Sequence, residues 1–284
     1  MELIEEFEEY MSSRKAKCTC NSYSFTVRKW LRFAADRGME MDRASVNAYI
    51  SAVEKTGVSP QTVRIRFAAI LYFFKWQGRE TELKGIELPR HTNPKMIALT
   101  REQVGSLIRA CANPTETAMI ISMYGCALRV GEMLRMEMAD ICEDDGFLRV
   151  HSETGRTAED VIEPIPVDSS IMKFLRDYAK TEKITTGKLF PTYNYKGVLR
   201  TMQRLCKTAG VTMDAKQMLG THAFRRARAT HLDEDNVPPL TIQRFMRHKD
   251  FRTTQRYIHV SDVALKEKIT PALDANLKVA PRRE

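Results

Sequence analysis

Apolar residues recur at spacings of three and four along most of this chain, the period of amphipathic helices. Four such stretches open it. Leu3 to Ser13 sets a short apolar stripe against an acidic face. Asn21 to Arg37 aligns Tyr23, Val27, Trp30, Leu31 and Ala34, then stops at Gly38. A third helix is predicted from Arg43 to Lys55, before Gly57. The fourth opens on Ser59 as N-cap and Pro60 at the first helical position. It carries Val63, Phe67, Ile70, Leu71 and Phe74 on one face and ends at Gly78. Arg64, Arg66 and Lys75 lie off that stripe, so they are expected to face solvent or a partner.

The periodicity lapses over residues 79–98, where Gly85, Pro89 and Pro94 fall, and a linker is predicted at 89–98. Beyond it, Thr100 and Gln103 form a capping box before the helix LTREQVGSLIRACA. A longer helical stretch runs from Ala118 to Met136 with an interruption at Gly125. A hairpin follows, FLRVH, a turn around ETGRTAED, then VIEPIPV. After Asp168 the pattern returns to helices: SSIMKFLRDYAK, KGVLRTMQRLCKTAG, THAFRRARATHL, PLTIQRFMRH and SDVALKEKI.

Composition narrows the class. With 43% hydrophobic and 29% charged residues the chain reads as a folded globular protein. No apolar run approaches the roughly 18–20 residues that span a bilayer. The acidic start MELIEEFEEY lacks the basic head and apolar core of a signal peptide. A cytoplasmic protein without membrane association is expected, at the nucleoid if prokaryotic. The six cysteines make no zinc-ribbon spacing and are expected to be buried free thiols.

Charge matters more by its distribution than by its total of +9. The first nine residues hold five glutamates, whereas residues 196–259 hold 13 Lys/Arg against five Asp/Glu. Such a segment suits a polyanionic partner.

Candidate chemistry lies in that second part. Arg129 falls near the helix interruption, with Glu132 three residues on. His222 and Arg225 share a helical face, and His248 precedes Tyr257 by nine residues. Two arginines can clamp the non-bridging oxygens of a phosphate in its transition state. A histidine can take a phenol proton or bond a phosphate oxygen, and a tyrosine can attack once its phenolate is stabilised.

With these residues in view, the sequence resembles the tyrosine site-specific recombinases, which include phage integrases and Xer-type resolvases. CALRVGEML, with Arg129, is similar to that family's GLR-x-x-E-x-x-x-L segment. HAFRRARATHL, with His222 and Arg225, is similar to H-x-L-R-H-x-x-A-T-x-L. MRHKDFRTTQRYIH is similar to L-G-H-x-x-x-x-T-x-x-Y-x-H, which makes His248 the second histidine and Tyr257 the matching nucleophile. The resemblance spans about residues 99–270.

It implies a mainly α fold: a four-helix, SAM-like core-binding domain over 1–88, the linker, and a mostly helical catalytic domain over 99–284 with a small antiparallel sheet. It also implies phosphoryl transfer without cofactor or metal. Tyr257 forms a 3′-phosphotyrosyl link, which a 5′-hydroxyl of a second duplex resolves. The partners implied are duplex DNA and a homo-tetramer spanning two DNA sites, with SDVALKEKI as the helix exchanged between neighbours. Arg64, Arg66 and Lys75 become candidate DNA contacts of the first domain.

Three positions depart from the pattern. No lysine lies between Lys95 and Lys173, where the family carries one in the hairpin, so Arg156 is the nearest basic replacement. Arg247 stands in place of a glycine and Arg226 in place of a histidine, and neither is expected to touch the chemistry directly. A type IB topoisomerase shares the chemistry, and a DNA-binding protein that kept the fold but lost activity is favoured by the absent lysine. A metal-dependent hydrolase using His222, His231, His248 and His259 lacks clustered carboxylates.

Overall fold

The computed structural model describes residues 2–90, 98–142, 146–152, 161–211 and 222–255. They fall into two compact units, one ending and the other beginning in the stretch between residues 90 and 98.

The first unit holds α1 (Glu2–Ser12), α2 (Lys17–Ala35), α3 (Arg43–Lys55) and α4 (Pro60–Trp76), followed by a 3₁₀ turn at Glu80–Leu83. Its core is aromatic. Phe7 from α1, Trp30 from α2, and Phe73 and Phe74 from α4 are fully buried, with Phe7 set edge-on to Phe73 at 5.1 Å. Each such side chain contributes about 1.5–3 kcal/mol by leaving water. Ser59 accepts from the Thr62 amide as expected, and Asp42, which the sequence reading did not single out, accepts from the Ser45 amide. Two details differ from the sequence pattern. α2 begins four residues before Asn21, on Ala16, which has no side chain to cap it and so leaves no signal. In α4 the buried stripe passes through Phe73, while Phe67 and Leu71 are only half-buried.

The second unit runs α5 (Arg101–Arg109), α6 (Pro114–Tyr124), α7 (Val130–Arg135), β1 (Ile141–Cys142), β2 (Phe147–Ser152), β3 (Val161–Pro166), α8 (Ser169–Thr181), α9 (Tyr195–Ala209), α10 (Ala223–Glu234), α11 (Pro239–Phe245) and α12 (Phe251–Gln255). Among the described residues the strands form one antiparallel sheet in the order β1-β2-β3, with Leu148 opposite Ile165 and His151 opposite Ile162. Leu107, Met119, Leu175, Phe190, Leu205 and Phe224 meet in the core. The predicted capping box is present: the Gln103 amide donates to Thr100 Oγ1 at 3.2 Å and the Thr100 amide to Gln103 Oε1 at 2.9 Å. From the same turn, Arg101 donates to His231 O and Asp235 Oδ1, joining the start of α5 to the end of α10. The mainly α fold with one small antiparallel sheet is the expected class.

The expectation of buried thiols holds for Cys126 alone. Cys18 is exposed and the other four are half-buried, all of them free. No described helix is long and apolar enough to cross a membrane.

Candidate active site

The site begins where one helical stretch breaks in two. A methyl group at Gly125 would lie 2.8 Å from the Ile121 carbonyl oxygen and 2.9 Å from Ile171 Cδ1, so only glycine fits there. Two residues on, Ala127 adopts a left-handed φ of 49°, which costs an L-residue roughly 1 kcal/mol. This turn ends α6 and restarts the chain as α7, with Arg129 at the new N-terminus and Glu132 one turn inside it.

Glu132 is the hub. Its side chain is 2% exposed, yet among the described residues three arginines surround its carboxylate. Arg129 Nη1 donates to Oε1 at 2.6 Å, and the Arg129 amide donates to Oε2 at 2.7 Å. Arg247 Nη2 donates to the same Oε2 at 2.8 Å, and Arg225 Nη1 stands 3.7 Å from it. Burial would push the Glu132 carboxyl up. The charge of Arg247, the Arg129 amide and the charges of Arg225 and Arg129 outweigh it and hold the group below the usual carboxylate range. Three cations on one anion leave a surplus of positive charge. Arg129, with 38% of its side chain exposed against 4% for Arg225, presents that charge to solvent.

Arg225 projects from α10, and its guanidinium donates to the Ala127 carbonyl, so the strained turn doubles as an anchor. His222 caps the same helix, exposed at its edge. Partial loss of hydration, then the charges of Arg225 and Arg129, lower its pKa. His248 lies beyond α11. Burial, then the charges of Arg225, Arg129 and Arg247, push it down to about 4. Both rings are therefore neutral at pH 7. His248 Nδ1 is 2.8 Å from the hydroxyl of Thr254, which is fully buried in α12.

Four of the expected residues, Arg129, His222, Arg225 and His248, thus gather around Glu132. Tyr257 and Arg156 lie outside the described residues, as does SDVALKEKI. Arg64, Arg66 and Lys75 belong to the first unit. Arg64 Nε donates to the Pro89 carbonyl at 3.0 Å, so it is partly engaged within its own unit. The charge of Arg66 lies near the Tyr49 hydroxyl, whereas Lys75 is exposed. His231 is buried and bonded to the Tyr124 hydroxyl at 2.8 Å.

Arg247 reaches the site indirectly, through the carboxylate that also holds Arg129 and Arg225. Arg226 also bears on it, since its charge is among those lowering the pKa of His222. Glu132 was visible in the sequence as the fourth position of R-x-x-E, but its partners lie 93 and 115 residues away, and spacing along one helix does not reveal them.

An arginine cluster with one member facing solvent, flanked by neutral histidines on a mostly helical scaffold, has the charge and donors to hold an anion such as a phosphate. Comparison with known proteins gives the class a name. The family model described as "Phage integrase family" matches residues 98–263, and that of its "N-terminal SAM-like domain" matches residues 3–81. The chain belongs to the phage integrase family, the tyrosine recombinases, enzymes that cleave and rejoin DNA. It is 25% identical to tyrosine recombinase XerA of Pyrococcus horikoshii, covering 95% of this chain and 93% of that one. It is 28% identical to a tyrosine recombinase of Thermosipho africanus, covering 92% and 95%. In fold it is similar to a Tn1549 transposon integrase solved with transposon right end DNA, at TM-score 0.76 and 15% identity over 95% of this chain and 98% of that one. A solved XerA recombinase matches at TM-score 0.52 and 22% identity over 96% and 98%.

Proposed function

We propose that this protein recombines duplex DNA at specific sites, with Tyr257 as nucleophile and Arg129, Arg225, His222 and His248 acting on the scissile phosphate. The single observation that carries the reading is the arginine cluster on Glu132 with two neutral histidines beside it. Arg129 meets the incoming phosphate first, and Arg225 stabilises the charge that grows on the non-bridging oxygens. With the Thr254 hydroxyl as donor to Nδ1, the tautomer this role requires, the proton of His248 sits on Nε2 and bonds a phosphate oxygen. His222, the more exposed ring, accepts the Tyr257 proton as the tyrosyl oxygen bonds phosphorus. The bond from phosphorus to the 5′-oxygen breaks in the same displacement. Arg156, as a fixed charge and donor, serves the leaving oxygen in place of the family's lysine, and water supplies the proton because arginine keeps its own. The link retains the bond energy, so a 5′-hydroxyl from a second duplex reverses the step and seals the exchanged strand.

The assembly that fits is a homo-tetramer on two DNA sites, in the cytoplasm and, in a prokaryote, at the nucleoid. The fold of a relative solved with transposon DNA supports a duplex as the partner. The test is a nicked suicide duplex. Wild-type protein is expected to form a covalent adduct, and Tyr257→Phe to bind the same DNA within about twofold while forming none. Phe keeps the ring and removes only the nucleophile. An undiminished adduct in that variant overturns the assignment.

A further inference from the structure

Arg247 occupies a backbone position that does not suit it. Its φ is +52°, the left-handed region that glycine enters freely and that costs other residues roughly 1 kcal/mol. The geometry thus explains why the family's pattern has glycine here, and it makes an arginine conspicuous. The side chain is 3% exposed and reaches four separate segments. Nη2 donates to Glu132 Oε2 at 2.8 Å and to the Ala127 carbonyl at 3.3 Å. Nη1 donates to the Phe245 carbonyl at 3.0 Å. Nε stands 4.0 Å from Glu163 Oε2 on β3, and both of these buried atoms are without a hydrogen-bond partner among the described residues.

We propose that Arg247 is a positioning residue for strand cleavage, a conclusion that rests on the recombinase reading above. It occupies the Glu132 oxygen that Arg225 would otherwise take, and so keeps the Arg225 guanidinium available to the scissile phosphate. Distances support this division. Arg247 is within hydrogen-bond reach of Oε2 and Arg225 is not, at 2.8 Å against 3.7 Å. A residue that merely filled space would need neither a charge nor a strained backbone. The same guanidinium extends to the hairpin strand through a second, longer ion pair with Glu163 at 4.0 Å.

The experiment compares wild type, Arg247→Gly, Arg247→Lys, Glu132→Gln and the Arg247→Gly/Glu132→Gln double variant, all full length. Single-turnover cleavage of a suicide duplex, equilibrium DNA affinity and thermal melting are measured for each. Arg247→Gly is expected to bind DNA within about twofold of wild type and to cleave about 10- to 100-fold more slowly, the scale of a displaced catalytic group. Arg247→Lys, which restores the charge, should fall between the two. The double variant should be no slower than the slower single variant, because Arg247 acts through the Glu132 carboxylate and has nothing to add once that charge is gone. The proposal is overturned by wild-type cleavage in Arg247→Gly, by rate and affinity falling in parallel, or by single effects that multiply. If Arg247→Gly does not fold, Arg247→Lys decides, and wild-type cleavage there overturns it. Failure of wild type itself to form an adduct would instead sink the recombinase reading.

Discussion

A histidine among arginines is a pH-sensitive group, and its sign is readable from its surroundings. His248, pushed down to about 4, is neutral in the folded protein, while in the unfolded chain it titrates near pH 6.5. Its contribution to stability is therefore complete above about pH 6.5 and is lost as pH falls toward 4. His222 and His231 are shifted in the same direction and add to the loss. Melting temperature should drop through that window, and His248→Gln should flatten the drop. Equal slopes for the two proteins would show that His248 does not carry the effect. The candidate site residues were legible because the family's order of Arg, His-x-x-Arg, His and Tyr leaves fixed spacings in the chain. Arg247 was legible only as a departure. Its importance comes from a positive φ and from a carboxylate on a distant helix, and neither leaves a periodic trace.

Elements positioned the site where the sequence suggested a break. Long helices declared themselves through their apolar stripes, and caps at Ser59, Thr100 and Asp168 marked their starts. Shorter pieces did not. β1 has two residues and α12 five, too few for any period to register, although α12 supplies the Thr254 contact to His248. The interruption at Gly125 was visible as a glycine within a helical run, but not that the turn aims the Ala127 carbonyl at two guanidiniums. This links a backbone feature to activity. In Gly125→Ala the Ile171 side chain can move aside, but the Ile121 carbonyl belongs to α6 and cannot without bending it. A loss of about 1–3 kcal/mol is expected, as for other overpacked sites. Cleavage at a temperature where the variant stays folded should fall further than DNA binding. Unchanged cleavage in a destabilised protein would separate the turn from the chemistry.

Over the whole molecule the distribution of charge predicts how DNA is held. In the first unit, Lys29 and Arg32 of α2 and Arg37 just beyond it are exposed and line a surface groove with Arg66 and Tyr49. Arg64, expected to reach DNA, is partly committed to Pro89 instead. Replacing Lys29, Arg32 and Arg66 together by alanine should weaken binding about equally for all sequences. It should also flatten the logarithmic salt dependence by roughly 0.9 per lost phosphate contact. Cleavage at saturating DNA should be unchanged. A salt slope identical to wild type would remove this face from the interface.

The distances along the chain between Glu132 and its cations also bear on biosynthesis. The first unit's core is assembled from the first 90 residues, so it can fold while the rest is still being made. The second unit cannot. Arg225 and Arg247 follow Glu132 by 93 and 115 residues, a delay of roughly 6–23 s to the later one at about 5–20 residues per second on a ribosome. Until Arg225 arrives the carboxylate has only Arg129 beside it and cannot be buried at low cost. A chain released before that point would hold the whole first unit and Glu132 but neither Arg225 nor Arg247, so the arginine cluster could not form.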